Sequence, residues 1–297
     1  MSAPIIQISA VSKVFGRGGD EVTALAGLDL EIARGSIVTL VGASGCGKST
    51  LLRILAGLDA QTEGEVRVDG QAVHGPGPDR GVVFQSYSLY PWLTVEQNIA
   101  FSTRLAANRR RGEKAAHAAR ARALMQLVGL EKFANAYPHQ LSGGMQQRVA
   151  IARALHLRPP ILLMDEPFGA LDAQTRELMQ DLLLHVFEQE GCTIVFVTHD
   201  VEEAIYLGNR VVVLAPHPGR LDSVHEVSLP AHRSRDMIAS PEFLELRRKV
   251  TERIRATSTM TNDLSALSQF GAPQAVAGAS LPDLPAAGLT QTTGDQR

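Results

Sequence analysis

The chain has 297 residues, 44% hydrophobic and 20% charged, with a net charge of −2 and two cysteines. That length carries a substantial core, as one large domain or two smaller ones. A near-neutral balance gives no electrostatic reason for a polyanion partner, two thiols are too few for a disulfide framework or a zinc cluster, and no apolar run nears the ~18 residues a membrane span needs.

The opening "MSAPIIQISAVSKVF" lacks a basic lead and a long apolar stretch, so no secretory signal is expected and the thiols read as those of a reducing cytosol. In "LAGLDLEIARG", Leu28, Leu30 and Ile32 alternate with acids, the period of a half-buried strand. "EVRVDG" repeats the alternation and ends on the turn pair Asp69-Gly70. Short continuous apolar runs follow: "SIVTLVG", "GVVFQ", "ILLMDE", "TIVFVTHD" and "RVVVLAP". Their length and β-branching predict strands covered on both faces, as in a parallel sheet with helices packed on it.

Between these runs, from about 86 to 157, lies Ala-rich, basic sequence of helical propensity, which predicts a helical subdomain inserted in an α/β core. Its Arg109-Arg110-Arg111 run reads as a solvated helix face. After residue 230 the composition shifts. Ser240 is placed to cap a helix, Pro241 to open it, and Phe243, Leu246, Val250 and Ile254 follow at helical spacing, giving a C-terminal helical extension over 231–256. The Ala-, Gly-, Pro- and Thr-rich segment 257–297 is expected to be disordered.

"VGASGCGKST" sits between an expected strand and an expected helix, with Gly42, Gly47, Lys48 and Ser49 at the fixed positions of G-x-x-x-x-G-K-[ST]. Glycines let successive N–H groups converge on phosphate oxygens, and the following helix adds the positive end of its dipole. Lys48 supplies a mobile charge for β- and γ-phosphates, Ser49 a hydroxyl for Mg²⁺. The whole loop, Gly42, Ala43, Ser44, Gly45, Cys46, Gly47, Lys48, Ser49 and Thr50, is therefore expected to cradle ATP. Cys46 reads either as an inert small residue or as a thiol whose oxidation would block the loop.

"ILLMDEP" delivers Asp165 and Glu166 to the carboxyl end of a strand, the edge where ligands sit in open α/β sheets. Asp165 is placed for Mg²⁺ and Glu166 to polarise an attacking water. "VTHD" brings His199 to the same edge, where an imidazole can bond the γ-phosphate or orient the water.

"LSGGMQQRVAIARAL" lies between these motifs, and with it the chain resembles the ATP-binding subunits of ATP-binding cassette (ABC) transporters. The resemblance runs in order from about Ile5 to Pro218 and implies a P-loop NTPase of ABC type, an α/β core with an N-terminal antiparallel β-subdomain and the helical insertion, over 1–230. It implies adenine stacking by Phe15, a hinge loop headed by Gln85 that reaches the metal and the reacting phosphate, and a signature turn at Ser142, Gly143 and Gly144. "GALD", ending on Asp172, looks like the stretch that touches a second copy across a nucleotide sandwich. A helix start at Ser142–Gly144 independently suits a second anion site. Met145 stands where many relatives carry Gln, and Phe15 lacks the hydroxyl of the usual Tyr; neither removes a phosphate or metal contact.

Without a span, such a chain can only energise membrane partners. "QSYSLYPWLTVEQNIAF", with Tyr87, Leu89, Tyr90, Trp92 and Leu93, suits docking of a permease helix. Together with "VTHDVEEAIYLGNRVVVLAPHPGRL" and the late "SPEFLELRRKV", it most resembles the nitrate/sulfonate/taurine importers. The resemblance implies Mg²⁺-dependent ATP hydrolysis, a homodimer, permease subunits, a periplasmic or lipid-anchored substrate-binding protein acting indirectly, and a peripheral place on the cytoplasmic face of the inner membrane. An importer of another small solute is the alternative. A soluble ABC ATPase acting on nucleic acid or the ribosome is a further one, but the second cassette, coiled coil or basic segment it would need is not visible.

Overall fold

A computed structural model describes residues 3–16, 20–104, 114–230 and 232–257, all within one compact unit. The Arg109–Arg111 run and the expected disordered tail after Thr257 lie outside the described residues. Strands β1 (Pro4–Phe15), β2 (Val22–Ala33), β4 (Glu63–Val68) and β5 (Gln71–Ala72) form an antiparallel sheet in the order β2-β1-β4-β5. Asp69 and Gly70 turn β4 into β5 with φ of 50° and 76°, the pair of left-handed residues that a tight hairpin needs.

The second sheet has six strands in the order β10-β9-β3-β8-β7-β6: β3 (Ile37–Val41), β6 (Arg80–Val83), β7 (Ile161–Asp165), β8 (Thr193–Val197), β9 (Arg210–Ala215) and β10 (Arg220–Glu226). Its neighbours are parallel except for the antiparallel β9–β10 pair. The continuous apolar runs are explained by two separate cores. Along β3, Val38 and Leu40 face the antiparallel sheet and α1 (Lys48–Leu55), while Ile37 and Val41 face the remaining helices. Along β8, Val195 and Val197 join the first core, Ile194 and Phe196 the second. A strand buried on both faces cannot alternate with polar residues.

Helices α2 (Val95–Ile99), α3 (Lys114–Leu127) and α4 (Gly143–Leu155) lie in the sequence between β6 and β7. They pack as a group, α2 against α3 and α4, and join the second core through Val95, Leu124, Val149 and Ala152. Helix α5 (Ala173–Glu190) follows β7, and α6 (Val201–Leu207) follows β8. Helix α7 (Pro241–Thr257) packs on α6, β9 and β10. Ser240 Oγ accepts the Phe243 N–H at 3.2 Å, Phe243 and Val250 are fully buried, and Arg253 bonds Asp222 of β10 at 2.6 and 2.9 Å. Among the described residues no helix is long and apolar enough to cross a membrane.

Candidate active site

The Gly42–Thr50 loop leaves β3 and enters α1 at Lys48, and its glycines are used for both reach and space. Gly42, Gly45 and Gly47 have φ of 151°, 78° and 86°. A Cβ on Gly47 would stand 2.5 Å from Leu25 Cδ2 and 2.9 Å from the Ala24 carbonyl, so only glycine lets the loop lie flat on β2. A Cβ on Gly42 would run into the Leu214 carbonyl at the end of β9 and stand 2.8 Å from Cys46 Sγ. The loop is thus clamped between two sheets. Lys48 Nζ donates to the carbonyls of Gly42 at 2.8 Å and Ala43 at 3.2 Å, and lies 3.6 Å from Cys46 Sγ. Cys46 has no exposed surface, so the thiol packs under the loop.

Four side chains from three strand ends converge beside it. Ser49 Oγ donates to Asp165 Oδ1 at 3.1 Å. Gln85 Nε2 donates to Glu166 Oε2 at 3.5 Å, and His199 Nδ1 lies 3.3 Å from the same oxygen. Burial pushes the Asp165 carboxyl up from its ordinary value; the Ser49 hydroxyl pulls it back, and the neighbouring Glu166 charge raises it further. Glu166 follows β7 with φ of 44°, a strained conformation for a residue with a Cβ. Its N–H donates to the Val197 carbonyl at 3.0 Å, which ties the turn to the strand that carries His199. A cavity of about 50 Å³ opens behind Glu166 and His199, bounded also by Phe168, Arg176 and Glu203. A larger groove of about 410 Å³ between the end of α3 and α5 touches none of these groups, so volume does not locate the chemistry.

A buried carboxylate beside a hydroxyl is a hard oxygen donor pair, which suits Mg²⁺ shared with phosphate oxygens and waters. The residues present therefore fit the metal and a triphosphate.

Phe15 ends β1, 43% exposed, with Lys13 Nζ over its ring, 4.9 Å from the centroid. Ser142, Gly143 and Gly144 open α4, Ser142 Oγ accepting the Met145 N–H at 3.3 Å. Among the described residues no hydrogen bond links them to the Gly42–Thr50 loop. A Cβ on Gly144 would stand 3.3 Å from Leu171, so the signature turn packs on the "GALD" stretch of its own chain. Asp172 caps α5: its Oδ1 accepts the Thr175 N–H at 2.9 Å, and that bond holds the carboxyl below its usual value. Of the aromatic loop, Leu93 is buried and the Tyr90 ring packs, tilted, on Phe101 at 4.0 Å and on Trp92 at 5.7 Å; Trp92 is itself 69% exposed.

The ABC transporter family model matches residues 25–169. The chain is 50% identical over 245 residues to an uncharacterized ABC transporter ATP-binding protein of Methanocaldococcus jannaschii, covering 82% of this chain and 89% of that one. This chain belongs to the ABC transporter ATP-binding family. The cassette is also 44% identical to the nitrate import ATP-binding protein NrtD of Synechocystis, over 86% of this chain and 96% of the relative. To the aliphatic sulfonates import ATP-binding protein SsuB of Bacillus licheniformis it is 43% identical, over the same shares. The cassette superimposes on a dimeric post-hydrolysis state of the ATP-binding cassette MJ0796 bound to ADP and Pi, with TM-score 0.68 and 36% identity, over 76% of this chain and all of that one. It is an ATPase of transport type, with the mixed α/β cassette fold the motifs implied.

Sequence reading did not find the carbonyl of Leu214 behind Gly42, nor the contacts of Arg153 with the Gln85 loop and of Tyr87 with Gly143. The only signal for the first was Gly219 in "PHPGR", which closes the β9–β10 loop onto Ala24.

Proposed function

We propose that the cassette is the ATP-hydrolysing subunit of an importer for a small anion such as nitrate, an alkanesulfonate or taurine. The observation that carries the ATPase is the meeting of Lys48, Ser49, Asp165, Glu166, Gln85 and His199 at one sheet edge beside a phosphate loop. The anion rests on likeness to NrtD and SsuB over nearly the full length of both. Another small solute remains the alternative cargo.

Backbone N–H groups of residues 42–50 hold the β- and γ-phosphates, Lys48 turning from its carbonyl partners to the phosphate oxygens. Phe15 stacks the adenine. Mg²⁺, held by Ser49 and Asp165 with Gln85 close by, would neutralise charge on the phosphoryl group in transfer. Glu166 takes the proton of the attacking water while His199 keeps its carboxylate aimed and bonds the γ-phosphate. Ser142, Gly143 and Gly144 of one copy close on the triphosphate held by the other, and Asp172 lies in the stretch that meets the partner. Trp92 and its loop bear on permease subunits at the cytoplasmic face of the membrane, and a substrate-binding protein outside selects the cargo.

Glu166→Gln keeps shape and removes the base. Its turnover should fall about 10²–10⁴-fold, roughly 3–5 kcal/mol of barrier, while light scattering shows a dimer trapped by Mg-ATP. Unchanged hydrolysis in that variant removes Glu166 from its role. For the cargo, the cassette reconstituted with its permease should hydrolyse ATP faster when the binding protein carries nitrate, a sulfonate or taurine; stimulation by a sugar alone contradicts the anion reading.

A further inference from the structure

The segment after Gln85 is pinned at several points to the helices, and one of its rings reaches the signature turn. At its far end Asn98 of α2, fully buried, accepts the Tyr90 N–H at 2.9 Å and donates to the carbonyls of Tyr90, Leu93 and Thr94 at 3.2, 2.9 and 3.0 Å. In its middle, Arg153 of α4 donates to the Ser88 carbonyl at 2.7 Å and the Tyr87 carbonyl at 3.3 Å, its guanidinium 5.8 Å from the Tyr90 ring centroid. Ser88 bends the backbone there with φ of 48°, its hydroxyl donating to the Ser86 carbonyl at 3.0 Å. At its near end Gln85 meets Glu166. The half-buried Tyr87 phenol lies flush on Gly143: a Cβ there would stand 2.6 Å from its hydroxyl oxygen and 3.5 Å from Cζ.

One short loop therefore touches the carboxylate beside the γ-phosphate seat and, two residues later, the first residue of α4. We propose that Tyr87 is a positioning residue that couples the hydrolytic site of a chain to the signature turn of the same chain, with Arg153 as its brace. This rests on the reading that Ser142–Gly144 serve the nucleotide of a second copy. Displacement of Gln85 by an occupied or emptied phosphate seat cannot be absorbed at Tyr87 and Ser88, where Arg153 fixes both carbonyls. The phenol transmits it to Gly143, and α4, a rod about 20 Å long, moves as a unit. Glycine at 143 lets the ring sit close enough for the contact to act in both directions. Each copy's signature turn then reports the state of its own site to the other site, which is a route to cooperative turnover.

The test uses the full chain and two readouts: the dependence of steady-state hydrolysis on ATP concentration, and binding of a fluorescent ATP analogue to the dilute chain. The unmutated chain should be sigmoidal, with a Hill coefficient approaching about 2, the number of sites. Tyr87→Ala should bring it to about 1 while analogue binding is unchanged; Tyr87→Phe, which keeps the ring but loses the hydroxyl that lies on Gly143, should fall between the two. Gly143→Ala should lower turnover, and adding Tyr87→Phe should restore it by roughly 2- to 100-fold, because the added methyl then meets a ring carbon at ordinary contact distance. A loss of folding or of analogue affinity would mark Tyr87 as a structural group only. Undiminished cooperativity in Tyr87→Ala, or no rescue in the double variant, overturns the coupling and leaves the sandwich standing. An unmutated chain that never pairs in Mg-ATP overturns the sandwich and the coupling with it, and that failure shows before any variant is made.

Discussion

At the scale of single residues, the site is built from groups that the fold holds in unfavourable places. Glu166 occupies a left-handed backbone position, and Asp165 is a carboxylate withdrawn from water. Both are tolerated because neighbours fix them: Val197 through the Glu166 N–H, Ser49 through the Asp165 carboxylate. Strain of this kind holds reacting groups in place before the ligand arrives. Lys48 is different, since it already has partners in the Gly42 and Ala43 carbonyls. Its movement to phosphate exchanges neutral acceptors for charged ones, which adds ionic attraction to bonds whose donor is already charged. Lys48→Ala should therefore weaken ATP binding about 10- to 100-fold, read by titration with a fluorescent analogue. Normal affinity in that variant would place the phosphate site elsewhere.

Elements carry the next level. Helix α7 was legible as a helix from Ser240, Pro241 and the spacing of Phe243, Leu246, Val250 and Ile254. That it belongs to the body of the cassette is a packing fact: Phe243 and Val250 are buried in the same core as Ile205, Val211 and Val213. Phe243→Ala leaves a cavity there and should cost about 3–5 kcal/mol in denaturant unfolding. A loss near zero would mean that α7 docks loosely. The helices between β6 and β7 were foreseen from composition, and their termini follow local rules. Thr94 and Gln97 make a reciprocal capping box on α2, and Ser142 caps α4. Asp172 shows how one residue can be claimed by two levels. Its position in "GALD" suggests a partner contact, and the structure gives it a capping bond within its own chain.

At the scale of the whole molecule, elements far apart in the chain meet through polar links that no local pattern announces. Glu203 of α6 is buried and accepts from Gln180 of α5 at 2.8 Å, and Gln180 in turn accepts from Arg235 at 2.8 Å. Burial, opposed by the bonds from Thr198 and Gln180, raises the Glu203 carboxyl above its ordinary 4.5. A carboxyl raised on folding binds its proton more tightly in the native state, so stability falls as pH rises through the interval above 4.5. Glu203→Gln removes the charge and keeps an acceptor for Gln180. It should flatten that part of the stability–pH curve and raise the melting temperature at neutral pH; an unchanged curve would show that this carboxyl is not the source. The link matters because α5 follows its cap Asp172 and α6 starts just after His199, so Glu203 and Gln180 tie the helix behind the "GALD" stretch to the helix behind the strand edge that carries His199.

The sequence by itself determined whatever depends on neighbours along the chain. Gly42, Gly47, Lys48 and Ser49 give the proposed phosphate loop its bend and its helix start, because left-handed turns and helix starts are local properties. The apolar runs ending in Asp165-Glu166 and His199 are strands because residues buried on both faces must be apolar. Tertiary structure decided which strand ends share an edge, and it brought Gln85 and His199 to one oxygen of Glu166. It also set Leu214 behind Gly42, Arg153 under the Gln85 loop and Tyr87 against Gly143. Those contacts join residues tens of positions apart, and they follow from strand order and helix packing, which no window of sequence contains.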